Sequence, residues 1–345
     1  MIAFTCGGTG GHVYPVLALA QELDHKHCYF IGSRDRKDSD ILPAYGYRIL
    51  PIVTYKKNPI LFLTAFFQSI YILKTQDTRI VVSSGGATTV PVVLAAKVLG
   101  IPIFLLEQNT LPGRANRFLA RFAKKIGVTF PQSLPYFPAD KTTVTGNPIR
   151  KVFPTTPAYY QLVTETWPKA PILLVIGGSQ GAGRLNELIG EQTDYFINQP
   201  YALIHILGKS HFEKQYPGKE YKLIKDTTGQ VKVCLLPYFE KMDYLYSLAT
   251  LVISRAGATT LAELNHFKKP AILIPYPYAK DNHQYWNAKA AEEEGTAILL
   301  PESDLTFPVL MTHVQTMIAD PPVFGESPDA RQTITRELQA YVESA

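Results

Sequence analysis

Twice in this chain an apolar run ends in a cluster of glycines and gives way to a helical pattern. The first case is Met1-Ile2-Ala3-Phe4, then Gly7-Gly8-Thr9-Gly10-Gly11-His12, then Pro15–Leu23. The second is Ile172-Leu173-Leu174-Val175-Ile176, then Gly177-Gly178-Ser179-Gln180-Gly181-Ala182-Gly183, then a helix from about Leu185. A short β-branched run that turns on glycines into a helix is the opening of a β–α unit, whose strand is buried on both faces of a parallel sheet. Two such openings in 345 residues predict two doubly wound α/β domains, each long enough to bury its own core.

The stretches between support this. Strand-like runs at Ile2–Thr5, Cys28–Ile31, Arg79–Ser83, Ile103–Leu106, Ile126–Val128 and Thr143–Thr145 alternate with helical ones, notably Val90–Leu99. A passage with five prolines, from Gly146-Asn147-Pro148 to Lys169-Ala170-Pro171, reads as an inter-domain segment. The alternation resumes at Ile172–Ile176, Ala202–Leu207, Val231–Leu235, Leu251–Ser254, Ala271–Ile274 and Ala297–Leu299. The expected domains are 1–150 and 151–328, with a helical tail from about 329 to 345 that packs back on the first.

Charge is divided unevenly. Residues 1–150 carry 17 Lys+Arg against 8 Asp+Glu, a net of +9; residues 151–345 carry 17 against 21, a net of −4. A basic first half suits an anionic surface or substrate, while a merely solvated surface explains the same numbers. The three cysteines, Cys6, Cys28 and Cys234, are far apart with no Cys-x-x-Cys, which fits a reducing compartment and neither a disulfide framework nor a zinc site. The chain opens on a core-like strand without a basic leader, so a cytoplasmic protein is expected.

One segment stands apart. Ile60 to Leu73 is intensely apolar and aromatic, with Lys56, Lys57 and Lys74 at its ends. Its 14 residues fall short of the ~20 needed to span a bilayer. It reads either as a core helix or as an exposed patch (Ile60, Leu63, Phe66, Phe67, Ile70) that dips into a headgroup layer while its lysines meet anionic lipid.

The first glycine turn, Gly7–His12, is not a known nucleotide fingerprint. Read as G-x-G-x-x-G from Gly8, the third position is Val13, no acid follows the second strand, and no Gly-Lys-Ser/Thr follows the turn. His12 reads as a general-base candidate or as a residue capping the turn. Beyond Leu251–Ser254 the sequence Arg255-Ala256-Gly257-Ala258-Thr259-Thr260-Leu261-Ala262-Glu263 starts a helix whose N–H groups suit a phosphate. Glu263 reads equally as a ribose-binding carboxylate and as the acid of a capping box begun at Thr260. Ser179 repeats the phosphate-turn logic, and Glu107-Gln108-Asn109 ends a strand where polar groups face a ligand. No Asp-x-Asp pair stands at a strand end to hold a metal, so neutral donors and helix dipoles are expected to meet a leaving diphosphate.

Taken in order, Gly7–His12, Leu106-Glu107-Gln108-Asn109, Gly146-Asn147-Pro148-Ile149-Arg150, Gly177–Ala182, Arg255–Glu263 and Gln284-Tyr285-Trp286-Asn287-Ala288 resemble the MurG-type glycosyltransferases. The resemblance implies two Rossmann-like domains facing a cleft, the GT-B fold, and an inverting transfer of N-acetylglucosamine from UDP-N-acetylglucosamine to an undecaprenyl-pyrophosphoryl-muramoyl-pentapeptide lipid. That is the lipid I to lipid II step of peptidoglycan synthesis, at the cytoplasmic face of the membrane, by a peripheral protein. It implies donor contacts from Thr9, Gly10, Gly11, Asn109, Arg150, Ser179, Phe239, the segment Ala258, Thr259, Thr260, Leu261, Ala262 and Glu263, and Gln284. In that picture His12 is the base or an orienter, and the Ile60–Leu73 patch meets anionic lipid. Neither a cofactor, a metal nor a nucleic acid is expected. The chain departs from the family at His283, where a first glutamine is usual, and at Ala87, where a tyrosine is usual. The competing readings are a UDP-sugar epimerase of the same fold and a non-catalytic UDP-sugar-binding subunit.

Overall fold

The computed structural model describes residues 1–7, 10–33, 38–55, 58–151, 170–177, 182–326 and 329–343. It divides into two compact units, Met1–Lys151 with Glu326–Ala345, and Val152–Gly325.

Among the described residues the first unit has seven strands: β1 (Ile2–Thr5), β2 (Cys28–Ser33), β3 (Ile49–Ile52), β4 (Ile80–Ser83), β5 (Ile103–Glu107), β6 (Lys125–Val128) and β7 (Thr142–Val144). They form one parallel sheet in the order β3-β2-β1-β4-β5-β6-β7. β1 and β4 are buried at every residue, as their near-continuous apolar runs require in a sheet covered on both faces. One face is covered by the helices Pro59–Thr75 and Val90–Val98. The other packs the helix Gly10–Ala20 and, at the chain's end, the helix Ala330–Glu343, whose Ile334 and Leu338 are buried with Phe4, Leu17 and Phe30. Ion pairs from Glu22 to Lys151 Nζ (2.8 Å) and to Arg331 Nε (2.7 Å) fasten the two chain crossings to this unit.

The second unit has β8 (Ile172–Ile176), β9 (Ala202–Ile206), β10 (Lys222–Lys225), β11 (Val231–Leu236), β12 (Leu251–Ser254), β13 (Ala271–Leu273) and β14 (Ala297–Leu299), in the order β10-β11-β9-β8-β12-β13-β14. The pairing is parallel except for β10 against β11. β3 and β10 were not among the strands expected from sequence. Both are edge strands. β3 contains Pro51, and β10 begins and ends on lysine, the residues that protect an edge and blunt the strand signal.

The strand orders reverse direction at β1/β4 in the first sheet and at β8/β12 in the second. Connections on either side of such a switch point diverge and leave a crevice beyond the carboxyl ends of the strands, the usual ligand site of an open α/β sheet. Both glycine turns, and the Arg255–Glu263 segment, follow strands that flank these points.

Candidate active site

At the first switch point the helix begins earlier than the sequence suggested. It spans Gly10–Ala20, so His12 stands in its first turn and not in the glycine turn before it. The first four helical N–H groups have no intrahelical partner, so glycines there disturb no helical bonding. His12 Nδ1 lies 2.8 Å from the Ser84 carbonyl oxygen, and Ser84 Oγ donates back to the His12 carbonyl at 2.7 Å. A carbonyl only accepts, so Nδ1 carries the proton and the lone pair of the neutral ring is on Nε2. The turns after β1 and β4 press backbone to backbone beside the ring. A Cβ on Gly86 (φ +97°) would lie 2.7 Å from Gly7 Cα, and one on Gly7 would lie 3.0 Å from His12 Cδ2. Glycine is required at position 86 by this close approach and its φ, and a side chain at position 7 would be tight against the ring.

The loop after β5 is built on Glu107. Its buried carboxylate accepts from the Asn109 and Gly113 backbone N–H groups (3.0 Å each), from Asn109 Nδ2 (3.3 Å) and from Asn116 Nδ2 (2.9 Å). Asn109 is thereby held half-buried next to Gln108. The Arg150 guanidinium lies 4.1 Å over the Tyr14 ring and donates to Tyr45 Oη at 2.9 Å. Ala87 is exposed, and its carbonyl receives the Tyr55 hydroxyl. Thr9, Ser179, Lys56 and Lys57 lie outside the described residues.

At the second switch point the helix Ala258–His266 is capped by Gly257, with no side-chain capping bond. Thr260 is the third residue of the helix, so the capping-box reading of Glu263 is corrected: a box needs Thr260 at the cap. Glu263 Oε2 instead accepts the hydroxyl of buried Tyr246 at 2.9 Å. Ala258 and Leu261 are buried and offer a ligand only their backbone, whereas Thr259, Thr260 and Ala262 are half-buried. Gln284 accepts from the Tyr276 N–H at 2.9 Å, which leaves its NH₂ to donate. His283 Nδ1 donates to the Lys280 carbonyl at 2.7 Å. Phe239, in the loop after β11, is 3 % exposed, and its neighbour Tyr238 is the exposed ring there.

Arg255 joins these parts. Buried to 8 % exposure, it donates to the Ile274 and Pro275 carbonyls (3.1 and 3.2 Å), pairs with Glu302 and lies 5.6 Å from the Tyr276 ring centre. Asn287, fully buried, donates to the Ala256 carbonyl at 3.3 Å. The turn before Glu263 and the helix bearing Gln284 are therefore fixed to each other. Tyr246 and Ser84 were not singled out from sequence as parts of the site, and Arg255 and Asn287 were named only within longer stretches; each acts through partners 17 to 72 residues away.

Ile60–Leu73 lies within the helix Pro59–Thr75, capped by Asn58. Ala65, Ser69 and Leu73 are buried against the sheet, while Ile60 (72 %), Leu63 (54 %), Phe67 (63 %) and Tyr71 (70 %) are exposed. Phe66 and Ile70, expected in the patch, are half-buried against the core; Tyr71 takes a place in the outward stripe and Lys74 is exposed at its end. No helix among the described residues is long and apolar enough to cross a membrane.

Residues 2–128 match the glycosyltransferase family 28 N-terminal domain, and residues 172–340 the family 28 C-terminal domain. The chain is 37 % identical to the UDP-N-acetylglucosamine–N-acetylmuramyl-(pentapeptide) pyrophosphoryl-undecaprenol N-acetylglucosamine transferase of Desulfotalea psychrophila, over 91 % of this chain and 86 % of that protein. It is 36 % identical to the same-named protein of Halothermothrix orenii, over 92 % and 90 %. Among solved structures it is similar to MurG of Acinetobacter baumannii, with a TM-score of 0.75 at 28 % identity over 98 % of this chain and 99 % of that one. A UDP-N-acetylglucosamine 2-epimerase from Listeria monocytogenes, described as putative, shares the fold at 13 % identity (TM-score 0.65, 100 % and 97 % covered).

Proposed function

Because the chain belongs to glycosyltransferase family 28 and to its MurG branch, we propose that it transfers N-acetylglucosamine from UDP-N-acetylglucosamine to the muramoyl-pentapeptide pyrophosphoryl-undecaprenol lipid. This is the lipid I to lipid II step of cell-wall synthesis. The observation that carries the reading is identity of more than a third, sustained over nine-tenths of the chain, to relatives bearing that name. The epimerase reading has only a fold likeness behind it.

In this reading the second unit holds the donor. Glu263, oriented by Tyr246, accepts from ribose hydroxyls; the N-terminus of Ala258–His266, with Thr259, Thr260 and Ser179, meets the diphosphate; Gln284 donates to the sugar. The first unit supplies the base, with Thr9, Gly10, Gly11, Asn109 and Arg150 completing the contacts. The acceptor hydroxyl oxygen attacks the anomeric carbon from the face opposite the diphosphate, the bond to the diphosphate oxygen breaks, and UDP leaves with the electron pair. The proton passes from the acceptor hydroxyl to His12 Nε2. Charge that develops on the leaving diphosphate is met by helix N–H groups already aimed at it. The protein works as a peripheral one on the cytoplasmic membrane face, where the exposed stripe of Pro59–Thr75 and the basic first half meet anionic lipid.

The test is incubation with labelled UDP-N-acetylglucosamine and a short-chain analogue of the acceptor lipid. Labelled disaccharide lipid and an equal amount of UDP are expected. Epimerised sugar without transfer would overturn the reading.

A further inference from the structure

The Ser84 carbonyl is not the only acceptor at His12 Nδ1: Gln108 Oε1 lies 3.2 Å away. An amide can present either its oxygen or its NH₂, and here the choice is fixed. Gln108 is 2 % exposed, and its Nε2 donates at 3.1 Å to the Leu106 carbonyl, which also receives Asn116 Nδ2 at 2.9 Å. Turned around, the amide would set its oxygen against that carbonyl and its NH₂ against the imidazole N–H. Two buried mismatched contacts of this kind forbid the alternative.

Among the described residues, the other groups seen against the ring are uncharged. Gly7 and Gly86 meet it with backbone, and the Gly10–Ala20 helix carries no acidic or basic side chain but His12 itself. The Glu107 carboxylate is engaged by Asn109, Gly113 and Asn116. Tyr14, two residues on, lies under Arg150. The imidazole therefore rests on two neutral acceptors where many catalytic histidines rest on a carboxylate.

We propose that Gln108 is a positioning residue for His12: its locked amide oxygen holds the ring with Nδ1 protonated and Nε2 presented, and steadies the imidazolium once Nε2 has taken a proton. The proposal rests on the reading of His12 as the base. When the ring becomes cationic the same Nδ1–H bonds become charge-assisted and stronger, with both acceptors already in place.

Two substitutions in the full-length protein test it, with the His12 ring followed by ¹⁵N NMR and the pH profile of kcat measured beside it. Gln108→Met keeps the volume and removes the acceptor; the His12 titration midpoint should fall by about half a unit and kcat by about tenfold. Gln108→Glu places a carboxylate there, and the midpoint should rise by about one unit. The donor KM should stay within about twofold in both, and the neutral ring of the unsubstituted protein should show its proton on Nδ1. Opposite shifts from the two variants, followed by the acid limb of kcat, support the proposal. Midpoints that coincide in all three proteins overturn it, as does a neutral ring protonated on Nε2. Shifts seen by NMR that the acid limb ignores leave the positioning role standing and refute His12 as the base.

Discussion

Tyr246 donates its hydroxyl to Glu263 Oε2 at 2.9 Å from a helix that precedes β12, while Glu263 sits on the helix that follows it. The carboxylate is aimed by a buried phenol and not by its own helix end. Tyr246 also stacks on Phe267, with ring centres 5.6 Å apart, a contact that phenylalanine would keep. Tyr246→Phe is therefore expected to fold normally and to raise the KM for UDP-N-acetylglucosamine about fivefold, the worth of one hydrogen bond of ~1 kcal/mol. Glu263→Ala should raise it much further. Steady-state kinetics on both variants check the order.

The glycine contact beside His12 gives a stability prediction. Gly86→Ala forces a Cβ to 2.7 Å from Gly7 Cα at a φ of +97°. A loss of about 2–3 kcal/mol is expected. At Gly11 a Cβ meets nothing within 4 Å, so Gly11→Ala should be within about 0.5 kcal/mol of the unsubstituted protein or slightly more stable. Urea unfolding of the pair measures the contrast.

Much of this was legible in the chain. β1, β8 and β12 are short apolar runs, and the glycine clusters that follow β1 and β8 marked both switch points. What sequence leaves out is strand order. Ser84 and Gln108 are 72 and 96 residues from His12, and only the adjacency of β1, β4 and β5 brings them to one imidazole. The Gly10–Ala20 helix began early because glycine's poor propensity is felt in a helix interior more than in its first turn. For Glu263 the local pattern served two roles equally well, and the tyrosine its carboxylate bonds is on another helix.

Burial of His205 predicts a pH dependence. Desolvation lowers its pKa from 6.5 to about 3, and the ring bonds Asn186 Oδ1 at 3.0 Å. Its folded-state value is depressed, so below pH 6.5 the unfolded chain takes up a proton that the folded one does not. Stability from this group is thus complete above about pH 7 and is lost as pH falls from 6.5 toward 3. Between pH 7.5 and 5 the loss should be about 2 kcal/mol. His205→Gln, which retains a donor for Asn186, should lack that part of the decline in urea titrations at the two pH values.

The outward stripe of Pro59–Thr75 makes a separate prediction. Ile60 and Phe67 are mostly exposed, so Ile60→Asp with Phe67→Asp should leave unfolding stability within about 1 kcal/mol. Binding to anionic phospholipid vesicles should fall at least about tenfold, because two apolar contacts are lost and the two added carboxylates are repelled by anionic lipid. Phe66→Asp, at a half-buried position, should instead unfold the protein more readily.

The division of work between the two units is tested most directly by His12→Ala, with donor binding and transfer measured on the same preparation. The dissociation constant for UDP-N-acetylglucosamine should stay within about twofold, because the groups assigned to the donor's ribose and sugar, Glu263 and Gln284, are in the second unit. Transfer to the acceptor lipid should fall by about 10²–10⁴, the range lost when a general base is removed. Transfer at the unsubstituted rate, or a loss of donor binding that accounts for the whole defect, would contradict the assignment of His12 as the base.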